Sequence, residues 1–312
     1  MGSLTDGSGG AADFDALRKA VLAFPDKAES TARMFRLMLP RGSSESVCVF
    51  AEGDCLHAAL AVSNLADSRG RMPVAVVDDG RVPRWVSGGT CAVVMSDGLG
   101  GPSPSLLSSL ADRGCETFVL KSGGDKGDWN TVVMPRMPSI ETLAFSLGYL
   151  CTLLTNRGVM DAYTALSEAS ALVRSLRDSL PEAASRAAAA LKGDVVASYS
   201  ATAVSACAVR AADAIGRYTG DLAFHGELPE YDHNELVGWS DPNEHAPELR
   251  MMVIEGGPSD GLVPVIIGCM EEVLRENGRD VVVVPSVKGS PLAGDMLGFM
   301  AAELIAAGMV LR

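Results

Sequence analysis

A chain of 312 residues, 47% hydrophobic and 21% charged, has the apolar content of a folded globular protein and the length of about two domains. Its formal net charge of −13 works against nucleic acid and anionic membrane surfaces as partners, since both select for clustered Lys and Arg. Phosphorylated small molecules stay open, because a few aimed backbone N–H groups hold a phosphate even inside an acidic protein.

Residues 1–12 are polar and glycine-rich, show no apolar leader segment and read as a flexible tail. Phe14, Leu17, Val21 and Leu22 then recur at helical spacing. From residue 46 short apolar runs alternate with amphipathic segments. Strands are expected at 46–51, 72–77, 91–96, 116–121 and 131–135, and helices at 55–66 and 103–114. Residues 139–178 read as one or two long helices, and 181–193 as an alanine-rich helix opened by proline and closed by glycine. The alternation restarts with strands at 194–200, 221–226, 251–256 and 280–285 and helices at 201–218, 261–277 and 291–308.

Continuous apolar strands separated by helices indicate a parallel sheet covered on both faces. The fold class is therefore α/β, as two doubly wound parallel-sheet subdomains joined by a helical region. The division expected is a tail at 1–12, a first subdomain at 13–155, a helical junction at 156–192 and a second subdomain at 193–312. No apolar run reaches about 18 residues without charges, so no membrane span is expected. Seven cysteines with no C-x-x-C pair read as small buried hydrophobes in a reducing cytoplasm.

In doubly wound sheets ligands sit where strands end and helices begin. Four such stretches carry polar residues. In SDGLGGPSPS (96–105), the glycines Gly98, Gly100 and Gly101 let backbone N–H groups approach an anion, and Ser96, Ser103 and Ser105 add hydroxyls; the alternative is an ordinary capped loop. AEGDCLHA (51–58) is acidic, with Asp54 as a helix cap and Cys55 and His57 as a remote nucleophile pair. In SYSATAVS (198–205), Ser198, Ser200 and Thr202 bind an anion or cap a helix. In GELPEYDHNELVGW (226–239), His233 stands among Glu227, Glu230, Asp232 and Glu235; it is either an acid–base site or a polar turn. No His, Cys, Asp or Glu set has metal-ligand spacing, and no cofactor is expected.

The run ELPEYDHNELVGW, lying beyond a strand–Ser–x–Ser–helix unit, resembles the second half of the bifunctional phosphoglucose/phosphomannose isomerases of the sugar isomerase (SIS) superfamily. The specific part is Leu228-Pro229-Glu230 followed by His233-Asn234. The resemblance implies two SIS-like subdomains, a hexose 6-phosphate as ligand, a homodimer, and aldose–ketose isomerisation with His233 assisting ring opening beside Asn234. The family's glutamate base falls here on Arg217, which stays protonated and clamps a phosphate if it faces the cleft. Glu230 and Glu235 are the substitute bases, sharing a face with His233 if residues 230–237 are helical. Two further outcomes stand beside isomerisation: a catalytically silent sugar-phosphate-binding or regulatory protein, and a different reaction on a sugar phosphate.

Overall fold

A computed structural model gives the structure of the chain and describes residues 10–98, 101–125, 127, 130–230, 235, 238–239, 249–257, 262–278 and 281–311. Two compact units are present: Phe24–Glu168, and Met1–Ala23 with Ala169–Arg312.

The contiguous unit holds five parallel strands, β1 (Ser46–Ala51), β2 (Val74–Val77), β3 (Thr90–Ser96), β4 (Glu116–Ser122) and β5 (Thr131–Met134), in the order β2-β1-β3-β4-β5. β3 is buried at every residue, as expected of a central strand covered on both faces. Its helices are α2 (Phe24–Phe35), α3 (Asp54–Arg69), α4 (Pro104–Asp112) and α5 (Ser139–Asn156), and α6 (Ala162–Leu176) carries the chain onward. α2 packs on α5 and α5 on α3. The α2–α5 crossing is close: a Cβ on Gly148 would lie 2.3 Å from the Ala28 carbonyl oxygen, so only glycine admits it. Phe35 meets Phe145 and Tyr149 edge-on, with ring centroids 5.6 and 5.2 Å apart.

The other unit holds four parallel strands, β6 (Val195–Ala201), β7 (Ala223–Leu228), β8 (Leu249–Gly257) and β9 (Val281–Lys288), in the order β7-β6-β8-β9. Its helices are α1 (Gly10–Leu22), α7 (Leu180–Leu191), α8 (Ser205–Thr219), α9 (Leu262–Glu276) and α10 (Pro291–Val310). α10 lies against α8, α7 and α1. It is long and apolar enough to cross a membrane, yet 89% of its apolar window is buried, which makes it a core helix.

The expected α/β architecture of two parallel-sheet subdomains is present, with strand and helix ends shifted by a few residues. The helix α2 is new: its buried residues Phe24, Ala28, Thr31, Ala32 and Phe35 follow the helical repeat across a stretch given no element from the sequence. The division also differs. α1 starts at Gly10, inside the stretch read as tail, and joins the second unit through α10. α7, read as part of the junction, packs on α10 as well.

Candidate functional site

In both sheets the first strand is flanked on either side by later ones, so the direction of winding reverses beside it. Ligand crevices of doubly wound sheets lie outside the carboxyl ends of the strands at this switch point. Here that means the loops after β1 and β3, and those after β6 and β8.

At the first switch point the groups that would seek an anion hold the chain's own carboxylates. Ser96, the last residue of β3 and 1% exposed, donates its hydroxyl to the Glu52 carboxylate. Gly98 borders this pair, since a Cβ there would lie 3.4 Å from Glu52 Oε1 and 3.6 Å from Ser96 Oγ. The backbone N–H of Asp54, at the start of α3, donates to Asp97 Oδ2 at 2.8 Å. Asp54 Oδ1 in turn accepts the Ser139 hydroxyl at 2.7 Å. Gly53 turns the chain here at φ 61°, and a Cβ on it would collide with Asp97 Oδ1 at 2.1 Å. Burial, reinforced by the charge of Asp54, holds the Asp97 carboxyl above its ordinary range, against the pull of the Asp54 N–H.

One strand further along the same edge the charge changes sign. Lys121 stands at the end of β4, and its side chain runs between two glycine turns. A Cβ on Gly101 (φ 62°) would lie 3.8 Å from its Cδ, and one on Gly124 (φ 74°) 3.5 Å from its Nζ. Among the described residues Lys121 has no ion-pair partner. Ser103 precedes α4 without capping it by its side chain; its hydroxyl meets that of Ser105 at 2.7 Å, and both residues are exposed. The uncapped N–H groups of α4 and an ammonium thus lie on either side of Gly101. Gly100 lies outside the described residues.

In the second unit the polar loop is also committed internally. Ser198 Oγ donates to the carbonyls of Ala208 and Phe224, each at 3.0 Å; Ser200 donates to Val204 O and Thr202 to Leu228 O, each at 3.1 Å. All four bonds run to backbone carbonyls, and neither helix that follows β6 has a side-chain cap, so the capping expected of these hydroxyls is not present. The Cys207 N–H in the first turn of α8 donates to Asp295 Oδ1 at 3.2 Å, and Asp295 is fully buried. A carboxylate therefore occupies the N-terminal end of the helix after β6, as one does after β1. Burial, with the charge of Asp295 added, pushes the Cys207 thiol up.

The acid–base candidates are dispersed. His233 and Asn234 lie outside the described residues. Glu230 and Glu235 stand at helical positions, and residues 231–234 between them lie outside the described residues. Glu230 is exposed, whereas the Glu235 carboxylate accepts the Tyr199 hydroxyl, which also accepts the Trp239 indole N–H at 3.1 Å. The face they were expected to share with His233 lies outside the described residues. Arg217 is on the last turn of α8, 12 residues or ~18 Å beyond the end that meets the loop after β6. Its guanidinium faces Glu303 of α10 at 3.9 Å, and Glu303 also pairs with Arg210 and accepts the Tyr218 hydroxyl at 2.8 Å. The expectation that Arg217 clamps a ligand gives way to a structural role beside a buried carboxylate. Cys55 is buried against Ser146 Oγ at 3.3 Å, and burial pushes its thiol up to about 12, which removes it as a nucleophile. Among the described residues no group of three or more His, Cys, Asp or Glu is placed to hold a metal.

Asp97, Asp295 and Lys121 were not singled out from the sequence. Lys121 carried a signal: a lysine closing an apolar strand, immediately before Ser-Gly-Gly, in a chain where positive charge is mostly arginine. Asp295 carried none, because it reads as an interruption in an apolar helix.

Comparison with known proteins agrees with this architecture. Residues 181–308 match the family model of the bacterial phospho-glucose isomerase C-terminal SIS domain. Curated proteins give no match. Among solved structures, the C-terminal domain of glucosamine-fructose-6-phosphate aminotransferase from Francisella tularensis is similar with a TM-score of 0.66 at 11% identity, covering 94% of this chain and 95% of that one. Glucosamine-6-phosphate deaminase from Thermotoga maritima gives 0.63 at 12%, covering 93% and 92%. A provisionally assigned phosphosugar isomerase from Salmonella typhimurium gives 0.64 at 14%, covering 90% of each chain. At such identities the likeness is one of fold, and it places this chain among proteins of the sugar isomerase (SIS) fold.

Proposed function

We propose that this protein binds a sugar phosphate of the hexose 6-phosphate class at the carboxyl edge of its first sheet and does not isomerise it. The observation that carries the reading is the division of charge along that edge. Glu52 and Asp97 already occupy Ser96 and the start of α3, while Lys121 and the uncapped start of α4 are left for an anion. The sugar hydroxyls then face Glu52 and Asp97, which accept hydrogen bonds from them. The names of the structural neighbours, which concern amino-sugar and fructose phosphates, support the ligand class.

Isomerisation needs a base within hydrogen-bond reach of a carbon-bound proton. Arg217 lies against Glu303 and Glu235 against Tyr199, and neither arrangement leaves a free base. The free thiols fit a protein of a reducing cytoplasm.

Two measurements test this. Titration calorimetry with fructose 6-phosphate is expected to show one site per chain, weakened at least tenfold by Lys121→Gln. Proton exchange at C1 of the same sugar in heavy water, followed by NMR, is expected to be absent. Exchange that disappears in His233→Ala would replace the binding reading with a working isomerase.

A further inference from the structure

Helices α1, α7 and α10 enclose a cavity of about 430 Å³ in the second unit. Its depth comes from small residues. Ala188 of α7 and Gly308 of α10 meet so closely that a Cβ on Gly308 would lie 2.9 Å from the Ala188 Cβ. Leu304 and Leu311 add apolar wall, and Phe14 of α1 closes one side. Beyond Phe14 and Leu311 a further space of about 190 Å³ continues beneath α1.

Two cations line the larger cavity, while Asp13 lines the smaller space. Arg18 lies one turn after Phe14 and on the same face of α1. Lys192 lies just past the end of α7, with its Nζ donating to the Leu311 carbonyl at 2.6 Å. No Asp or Glu lines the larger cavity, and among the described residues neither cation forms an ion pair. In a chain of net charge −13, two cations on the lining of the larger cavity, with no acid there and no ion pair among the described residues, are a local exception that selects anions. The volume falls in the range of small-molecule sites, apolar with a few polar groups at the mouth. Lys192 precedes β6 and Leu311 follows α10, so the cavity lies at the amino ends of the strands, away from the carboxyl edge.

We propose that this cavity binds a small anionic amphiphile, its apolar body between Phe14 and Leu304 and its carboxylate or phosphate head on Arg18 and Lys192. The test is calorimetry of the full chain with dodecanoate, dodecyl phosphate and dodecyltrimethylammonium, each below its micelle concentration. Both anions are expected to saturate one site per chain, and the ammonium amphiphile to bind at least tenfold more weakly. If only one of the two anions binds, the head group is thereby identified. Arg18→Gln with Lys192→Gln is expected to weaken the anions at least tenfold. Ser185→Leu with Ala189→Leu, at two exposed lining positions, is expected to abolish binding with the circular dichroism spectrum unchanged. The proposal is overturned by the absence of saturable binding, by equal affinity for the ammonium amphiphile, or by binding that survives both variant pairs. It is equally overturned by a concentration-dependent dimer that the leucine pair dissolves, which would assign the face to a second copy.

Discussion

The hydroxyl of Ser96 donates to the carboxylate of Glu52, 44 residues earlier in the chain, across the crevice where β1 and β3 end. A negative charge is thereby fixed beside the serine that a phosphate would otherwise approach. Glu52→Gln keeps the shape and removes the charge. It is expected to weaken fructose 6-phosphate about tenfold, or ~1.4 kcal/mol, because the sugar hydroxyls lose a charged acceptor. Calorimetry at constant salt measures this, and tighter binding would place the phosphate beside Ser96 instead of at Lys121.

The neighbouring Asp97 gives a pH signature. Its folded carboxyl is raised above the unfolded one, by burial first and by Asp54 next. Between the two pKa values the native state therefore binds more protons than the unfolded state, so stability falls as pH rises. Asp97→Asn keeps an acceptor for the Asp54 N–H and cannot ionise. The difference in unfolding free energy between variant and wild type is expected to grow in favour of the variant as pH rises from acid towards neutrality. Urea titrations across that range report it, and a flat difference would remove the assignment.

How much of this was legible in the sequence differs by residue. The strand VCVF and its counterparts were readable because a parallel strand buried on both faces is a continuous apolar run. Ser96 was visible as the end of such a run. Its engagement by Glu52 was not, because loops meeting across a switch point are distant in sequence. Arg217 shows the opposite limit. Its place on a helix was readable, but the neighbour it faces depended on where α10, more than 70 residues later, would lie. α2 was passed over because its charged residues hid a repeat that only burial makes plain.

Arg210 and Glu303 are both fully buried and paired. Glu303→Gln removes the buried carboxylate that pairs with the Arg210 guanidinium, and is expected to lower stability by about 3–5 kcal/mol. Arg210→Met combined with Glu303→Leu is expected to cost less than the single change. Arg217→Ala, on a partly exposed side chain 3.9 Å from Glu303, is expected to cost less than ~1 kcal/mol. Urea denaturation of the four proteins checks the ranking; an Arg217 variant as damaging as the Glu303 one would contradict it.

The thiols should divide by burial. Cys269 is exposed and Cys115 partly so, whereas Cys48, Cys55, Cys91, Cys151 and Cys207 are buried. Burial pushes Cys48, Cys55, Cys91 and Cys151 up to about 12. An aromatic disulfide reagent at pH 8 is expected to label Cys269 promptly, Cys115 slowly and the other five only after unfolding. Cys269→Ser should remove the fast phase; prompt labelling of a third thiol would show a more open unit.

The unit that begins with α1 also contains the last helix of the chain, with the contiguous unit Phe24–Glu168 between the two stretches. This arrangement orders events on the ribosome. The inserted unit has all of its strands in hand before the second half is made. α1 must remain unseated while nearly 300 further residues are added, tens of seconds at about 5–20 residues per second. Its partner α10 is made after every other described helix, so α1 finds its seat only once the second sheet is complete.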